Sequence, residues 1–438
     1  MRNNKEAQMP SIYEQWGFWG NPFQTTSLPA DETGERLLVG RQKELQSLER
    51  KIVSGPKMAT LEGLNGVGKT SVVNVASYRL FRAHVESGEG PLFIACRKIF
   101  QLTPGQDAQD FIDAVLMEVA QTLIERRSDV EELTGKSAKT DALNRWLNST
   151  HLHSYQAGIP VLQAGRTSET NTSAGFERSG FRKLVENILS DVFPEEGGVV
   201  CMIDNLELLQ KSDLARAQLE QLRDHLLTMK GLRWVLCGSL GIVYGVVSSP
   251  RLEGYVYKPI EIKDVGAENS AEILTSRIAN YANNFESAYL PLRPVDFSRL
   301  YEVLHGNLRS ALSYADDYCE WCFDRVPVPA SDSEKEMAFN EWLDEQAESA
   351  HLAMRQALGP RAIEIFAKAV ELGGVFSPSD YASFGSESIQ ALRPHIRDME
   401  AAGVLVSTQD DGDKRRKTIQ VTSKGWLVSL KLGSDTEA

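Results

Sequence analysis

Cysteine is scarce in this chain, with five among 438 residues. So few thiols cannot build a disulfide framework. Cys96, Cys201 and Cys237 fall in apolar runs that read as buried strands. Cys319 and Cys322 form one C-x-x-C with no second pair at zinc-ligand spacing. Free thiols in a reducing compartment are the reading. Long apolar runs are missing too: none reaches the ~18 residues of a membrane helix. Met1 to Gln8 lacks the apolar core of a signal peptide. The expectation is a soluble cytoplasmic protein without a membrane partner. There is also no excess of positive charge, since 47 Lys and Arg stand against 60 Asp and Glu, net −13. The chain as a whole is therefore no polycation that coats nucleic acid. The deficit is uneven: residues 351–438 hold 11 basic and 11 acidic side chains, so residues 1–350 carry the whole −13. A neutral terminal module can still present a local basic patch. Global disorder is excluded by 42% hydrophobic and 24% charged residues.

What is there divides the chain. Residues 1–36 form a polar arm carrying Trp16, Phe18, Trp19 and Phe23. These aromatics either clamp a neighbouring domain or ligand, or simply pack the arm. Apolar Leu45, Leu48 and Ile52 recur at helical spacing. Strand patterns at Met58–Glu62, Pro91–Cys96, Gly198–Asp204 and Arg233–Ser239 alternate with helical patterns at Ser71–Phe81, Ala108–Arg127, Phe181–Phe193 and Leu214–Met229. That alternation predicts an α/β core, residues 37–264, with a mostly parallel sheet covered on both faces. Residues 150–175 read as a loop or small hairpin insertion. Residues 265–330 are helical throughout. Residues 331–354 read as an acidic linker or solvated helix, with seven acids against one lysine in 331–350. Residues 355–432 form a last module.

Gly63, Leu64, Asn65, Gly66, Val67, Gly68, Lys69 and Thr70 match G-x-x-x-x-G-K-[ST] without deviation, and Ser71 opens the helix that follows. Backbone N–H groups of such a loop cradle phosphate oxygens, helped by the positive end of the helix. Lys69 is the residue to reach the β- and γ-phosphates, and the Thr70 hydroxyl the one to ligate Mg²⁺. The predicted cofactors are ATP or ADP with Mg²⁺. A loop of this kind calls for an acid on a buried strand, and five apolar residues deliver Asp204 to the end of one. Its carboxylate is the second candidate for the metal.

Val39-Gly40-Arg41, the loop, the Asp204 strand, the Ser239 strand and Gly306-Asn-Leu-Arg309, in that order, resemble the AAA+ ATPases of the origin-recognition initiator type. The order is also close to the STAND signalling ATPases. The resemblance spans about residues 15–432, and within it only the loop is highly specific. It implies a P-loop AAA+ core, a helical lid and a C-terminal winged helix. Val39, Gly40 and Arg41 would border the adenine, Ser239 would sense the γ-phosphate, and Arg309 would be the lid arginine on that phosphate. Arg251 is a candidate for donation to a neighbouring subunit in a homo-oligomer, though a plain surface role fits it better. One departure matters: members usually follow the metal-binding Asp with Glu, where this chain has Asn205. An amide orients water but is a poor proton acceptor. Glu207 is the substitute if the strand end turns suitably. ATP hydrolysis, the implied activity, is expected to be slow or partner-dependent.

The last module reads as helices at Arg361–Leu372, from Ser377 onward and at Ser386–Ala402, followed by strands at Val404–Thr408 and Thr418–Thr422. This is a winged helix-turn-helix pattern. The third helix turns Gln390, Arg393 and Arg397 outward, while Lys414, Arg415, Arg416 and Lys417 decorate the wing. Double-stranded DNA, helix in the major groove and wing on phosphate, is one predicted partner. The three aspartates before the wing's basic run and the neutral charge leave a protein partner as the other. Pro394 suggests a kink or a late helix start. The two functions in view are a nucleotide-controlled switch for DNA binding or assembly, and a signalling ATPase whose winged helix contacts protein. Either could serve a mobile-element or phage-defence system.

Overall fold

Four residues of buried strand, β1 (Ala59–Glu62), lead into the glycine loop, and the sheet around them is parallel throughout. The computed structural model describes residues 10–135, 140–141, 143–144, 151–153, 168–170, 180–194, 196–206, 212–239, 243, 249–410 and 416–432. They fall into two units. One comprises Lys43–Gly63 with Val72–Glu261; the other comprises Met1–Gln42, Leu64–Ser71 and Ile262–Ala438.

The first unit holds β1, β2 (Phe93–Ala95) and β3 (Phe100–Gln101). A separate antiparallel pair follows, β4 (His151–His153) and β5 (Ser168–Thr170), within the expected insertion. Next come β6 (Gly198–Asp204), β7 (Leu232–Gly238) and β8 (Ile260–Glu261). The sheet order is β2-β6-β7-β1-β8, with β3 also beside β6. Register aligns Ala59 with Val235, Val199 with Leu232 and Leu61 with Ile260. Every residue of β6 is buried, so both faces of the sheet are covered, which is why the strand reads as an unbroken apolar run. Phe111, Val115 and Leu116 of the helix Ala108–Glu125 join Val185 and Leu189 of the helix Phe181–Val192 in one core. The helix after the loop, Lys69–Ser87, starts earlier and ends later than its apolar pattern indicates. Its half-buried and exposed last turns carry no periodic signal.

The second unit has a single continuous core. Tyr13, Trp16, Phe18 and Phe23 are buried in it, so the arm's aromatics pack the arm. Trp16 meets Tyr289 edge-on at 5.4 Å and Phe323 at 5.9 Å. Trp19, 58% exposed, rests on Tyr281 at 4.9 Å. The helical segment is realised as Ser270–Tyr281, Pro294–Val303 and Leu308–Phe323. The acidic stretch is a helix, one of the two expected alternatives, but buried along one side rather than solvated. It is one 26-residue helix, Asp332–Ala357, closed at its start by a Ser331–Glu334 capping box. Phe339, Trp342, Leu343 and Met354 line a fully buried side, and Tyr318 packs on Phe339 and Trp342 at 5.5 and 5.3 Å. The acids occupy the other faces, which composition alone cannot separate from a solvated linker.

The winged helix is present as helix Pro360–Glu371, a 3₁₀ segment Pro378–Phe384 and a third helix Ile389–Ala401. Its strands are β9 (Val375–Phe376), β10 (Leu405–Asp410) and β11 (Arg416–Val421). The wing sheet has three strands rather than the two its sequence suggests, because Val375–Phe376 pairs with β11. Ser388 caps the third helix, which begins at Ile389, three residues past the expected start, and continues through Pro394. A last helix, Ser423–Leu432, lies against the acidic one, with Lys431 Nζ 3.1 Å from Asp344. None of the five cysteines is joined in a disulfide. Among the described residues no helix is long and apolar enough to cross a membrane.

Candidate nucleotide-binding site

In the second unit, the loop residues Leu64 to Ser71 are held from three sides. Gly66 and Gly68 take φ of +85° and +94°, values that only glycine adopts cheaply, so the motif's glycines are a backbone requirement. A Cβ at Gly66 would lie 2.7 Å from Asn307 Oδ1 and 3.2 Å from Arg309 Cβ. At Gly68 a Cβ would meet no atom within 4 Å. Open space beside a positive-φ glycine is what a phosphate group requires of such a loop. Lys69 is 6% exposed and donates from Nζ to Leu64 O at 3.1 Å, which holds the ammonium inside the loop. Val67 and Ser71 are buried, Thr70 is half-buried and Asn65 is exposed. No carboxylate sits in the first turn of Lys69–Ser87, so nothing there competes with an anion for the helix's positive end.

Arg41 is 2% exposed and binds backbone rather than standing open to a base. Its Nη2 donates to Val67 O at 2.8 Å and Lys263 O at 2.7 Å, and its Nη1 to Asp264 O at 3.5 Å. It therefore ties the loop to the segment leading into the lid. Gly40, at φ +73°, lies so close to Val265 that a Cβ would come within 2.7 Å of its Cγ1. Tyr301 fixes that segment by accepting the Val265 N–H at 2.9 Å, and burial pushes its phenol pKa up. Val39 is half-buried against the same core.

The third side is the lid helix Leu308–Phe323. Asn307 is its N-cap, accepting from Ser310 N at 3.1 Å while its Nδ2 donates to Asn65 O at 3.4 Å. Arg309 is exposed, and it has no hydrogen bond or ion pair with a described residue. The next residue, Ser310, pairs through its hydroxyl with Ser423 Oγ at 2.6 Å. One helical turn thus connects the loop's apex with the start of the last helix. An Asn before an apolar run, as at Asn307, is a capping signal, whereas Ser310 has no local sequence signature. Their contacts to residues 65 and 423 span more than a hundred positions and leave no local trace.

In the first unit, Asp204, Asn205 and Ser239 stand at the C-terminal edge of the sheet, the edge at which β1 ends and Gly63 begins. Gly63 N donates to Gly238 O at 3.3 Å, holding the loop's first residue against the end of β7. Asp204 is 7% exposed, and its Oδ1 accepts the Asn205 N–H at 2.9 Å. Asn205 has φ +56°, a conformation Asn tolerates better than Glu. Ser239 is buried. Arg251 is exposed elsewhere in this unit, 3.4 Å from Glu220. Glu207 lies outside the described residues. So do Lys414 and Arg415 of the wing. The backbone register sets Arg416 opposite Asp410 and Lys417 opposite Gln409. Gln390, Arg393 and Arg397 all fall on the exposed side of the helix Ile389–Ala401, opposite buried Leu392, Ile396 and Met399.

No family model matches the sequence, and no curated protein proves similar to it. Solved structures do. The ORC2 protein of Aeropyrum pernix, in ADPNP–ADP complexes, is 11% identical over 96% of this chain and 100% of its own, with a TM-score of 0.47. The ORC1 protein of the same organism, in complex with DNA, is 15% identical over 97% and 99%, at 0.43. Cdc6p from Pyrobaculum aerophilum is 13% identical over 95% and 99%, at 0.38. The superpositions are loose, and the fold is described by this chain's own parallel sheet, helical segment and winged helix.

Proposed function

We propose that the protein binds ATP on the loop Gly63–Thr70 and uses the bound state to control a C-terminal DNA-binding winged helix. The observation that carries the reading is the open position beside Gly68, with Lys69 folded inward next to it. Phosphate oxygens fit there as acceptors for the loop's N–H groups, and Lys69 turns its ammonium from Leu64 O to the β- and γ-phosphates. The Thr70 hydroxyl and the buried Asp204 carboxylate are the ligand types Mg²⁺ takes, and the ion, when bound, neutralises phosphate charge. Ser239 and Arg309 are the groups proposed to read the γ-phosphate. Arg309 is exposed and unpaired among the described residues, which leaves its guanidinium available.

Control reaches the winged helix through the first turn of the lid helix. Nucleotide that displaces Asn65 or Gly66 moves Asn307, and the Ser310–Ser423 contact passes that shift to the last helix. Hydrolysis is slow or partner-dependent because Asn205 stands where a base is wanted, and Asn205→Glu raises it if Glu207 is not already the base. DNA is favoured over a protein partner by Gln390, Arg393 and Arg397, which share one exposed face with no ion pair among the described residues. The test is duplex binding by the full chain with ATP, ADP and no nucleotide, beside Lys69→Ala. Affinity that changes with nucleotide in the wild type but not in Lys69→Ala supports the reading. A chain that binds nucleotide yet no duplex in any state leaves the protein-partner switch in its place.

A further inference from the structure

At the opposite, N-terminal edge of the sheet, positive charge gathers on a body that is otherwise acidic. Tyr257 precedes β8 and Lys57 precedes β1; the bridge between Met58 and Val256 joins the two approaches. The ring of Tyr257 is pinned from several directions. Its O–H donates to Ser54 O at 3.4 Å, its N–H to Met58 O at 2.9 Å, and its carbonyl accepts from Thr60 Oγ1 at 2.9 Å. Over that ring sit Lys51 Nζ at 5.8 Å and Lys57 Nζ at 5.7 Å from the centroid. Lys51 also donates to Lys258 O at 2.6 Å. Beneath the turn, the half-buried Arg233 guanidinium lies 3.1 Å from where a Gly55 Cβ would stand.

None of these lysines has an ion pair with a described carboxylate, unlike the neighbouring Arg223, bound to Asp224 at 2.6 Å. A helix C-terminus accounts for a cation at Lys51, in the last turn of Gln42–Val53, but Lys57 and Lys258 lie outside any helix. Partial burial lowers the Lys51 pKa, as for a cation without a counter-charge. Two ammonium groups within 6 Å of one fixed ring are at most about 12 Å apart, close enough to face neighbouring phosphates of one duplex strand.

We propose that Lys51 and Lys57, held over Tyr257, together with the exposed Lys258 beside it in the chain, form a second contact surface for the phosphate backbone of duplex DNA. The proposal rests on the DNA reading above and adds a surface that belongs to the α/β unit rather than to the winged helix. Lysine here acts as a point charge, so the contact carries no sequence preference. The surface lies at the other end of the strands from Asp204 and Ser239, so its contribution is independent of bound nucleotide.

The experiment is fluorescence anisotropy of the full chain on a labelled duplex across a salt series, with ATP, ADP and no nucleotide. Replacing all three lysines by alanine is expected to flatten the slope of log affinity against log salt by about 2.7, since each phosphate contact contributes roughly 0.9. The change should be equal in every nucleotide state and on unrelated sequences. The triple Lys→Arg variant should keep the slope. Lys57→Ala with Lys258→Ala, which leaves the Lys51 hydrogen bond intact, should give about 1.8. A slope unchanged in the alanine variant, while the wild type binds duplex, overturns this proposal alone and points to an acidic protein surface. A wild type that binds no duplex at low salt overturns it together with the DNA reading.

Discussion

At the scale of single residues, the loop's glycines do different work although the motif writes them alike. Gly66→Ala adds a methyl into Asn307 and forces a residue with φ +85°, while Gly68→Ala meets only the φ cost of about 1–2 kcal/mol. Gly66→Ala should therefore lower the urea midpoint more than Gly68→Ala, and Asn307→Gly should recover part of the difference. Equal losses without recovery would remove the close approach of lid and loop. Lys69→Ala, in contrast, should cost little stability and weaken ATP binding at least tenfold, for a charged hydrogen bond of about 1.5–3 kcal/mol. Isothermal titration would show it, and unchanged affinity would sink the nucleotide assignment. At Asn205, φ +56° makes Asn205→Glu destabilising by about 1 kcal/mol whatever it does to turnover, whereas Asn205→Gly should be neutral or stabilising.

At the scale of elements, the acidic helix Asp332–Ala357 is the clearest case. Its seven acids are visible in composition; its buried side is visible only in the spacing of Phe339, Trp342 and Leu343. Trp342→Ala should cost about 3–5 kcal/mol in denaturant unfolding, where a solvated linker would lose nothing measurable. The lid helix Leu308–Phe323 supplies a pH dependence. Burial pushes the Cys322 thiol from 9.0 up to about 11, and Cys319 rises for the same reason. The unfolded thiols ionise first, so their stabilisation is complete below pH 9 and is lost as pH rises toward 11. Urea midpoints between pH 8 and 10.5 should fall in the wild type and fall less in the variant carrying Cys319→Ala and Cys322→Ala. Parallel curves would contradict this.

At the scale of the molecule, the neutral C-terminal module and the acidic remainder divide the labour. If the wing grips phosphate, Arg415→Ala with Arg416→Ala should flatten the DNA salt slope by about 2 while nucleotide affinity holds. That loss should vary with nucleotide state, because the winged helix is tied to the lid helix through Ser423 and Ser310. Arg393→Ala should change base preference instead, if its guanidinium reaches a guanine edge. Binding to a panel of duplexes separates the two effects.

The sequence by itself determined the parallel sheet, the glycine loop between strand and helix, the helix-and-strand order of the last module and the charge balance of each module. All of these follow from local rules: unbroken apolar runs for strands buried on both faces, glycine where φ is positive, a cap where a helix begins. Only the tertiary structure decided what lies far apart in the chain. It buried Arg41 on the carbonyls of Val67 and Lys263, brought Asn307 to Gly66, sank the arm's aromatics into the lid and drew Val375–Phe376 into the wing sheet. Contacts of that kind satisfy a donor or fill a space that another segment creates. The residues that meet there carry no periodicity of their own to announce it.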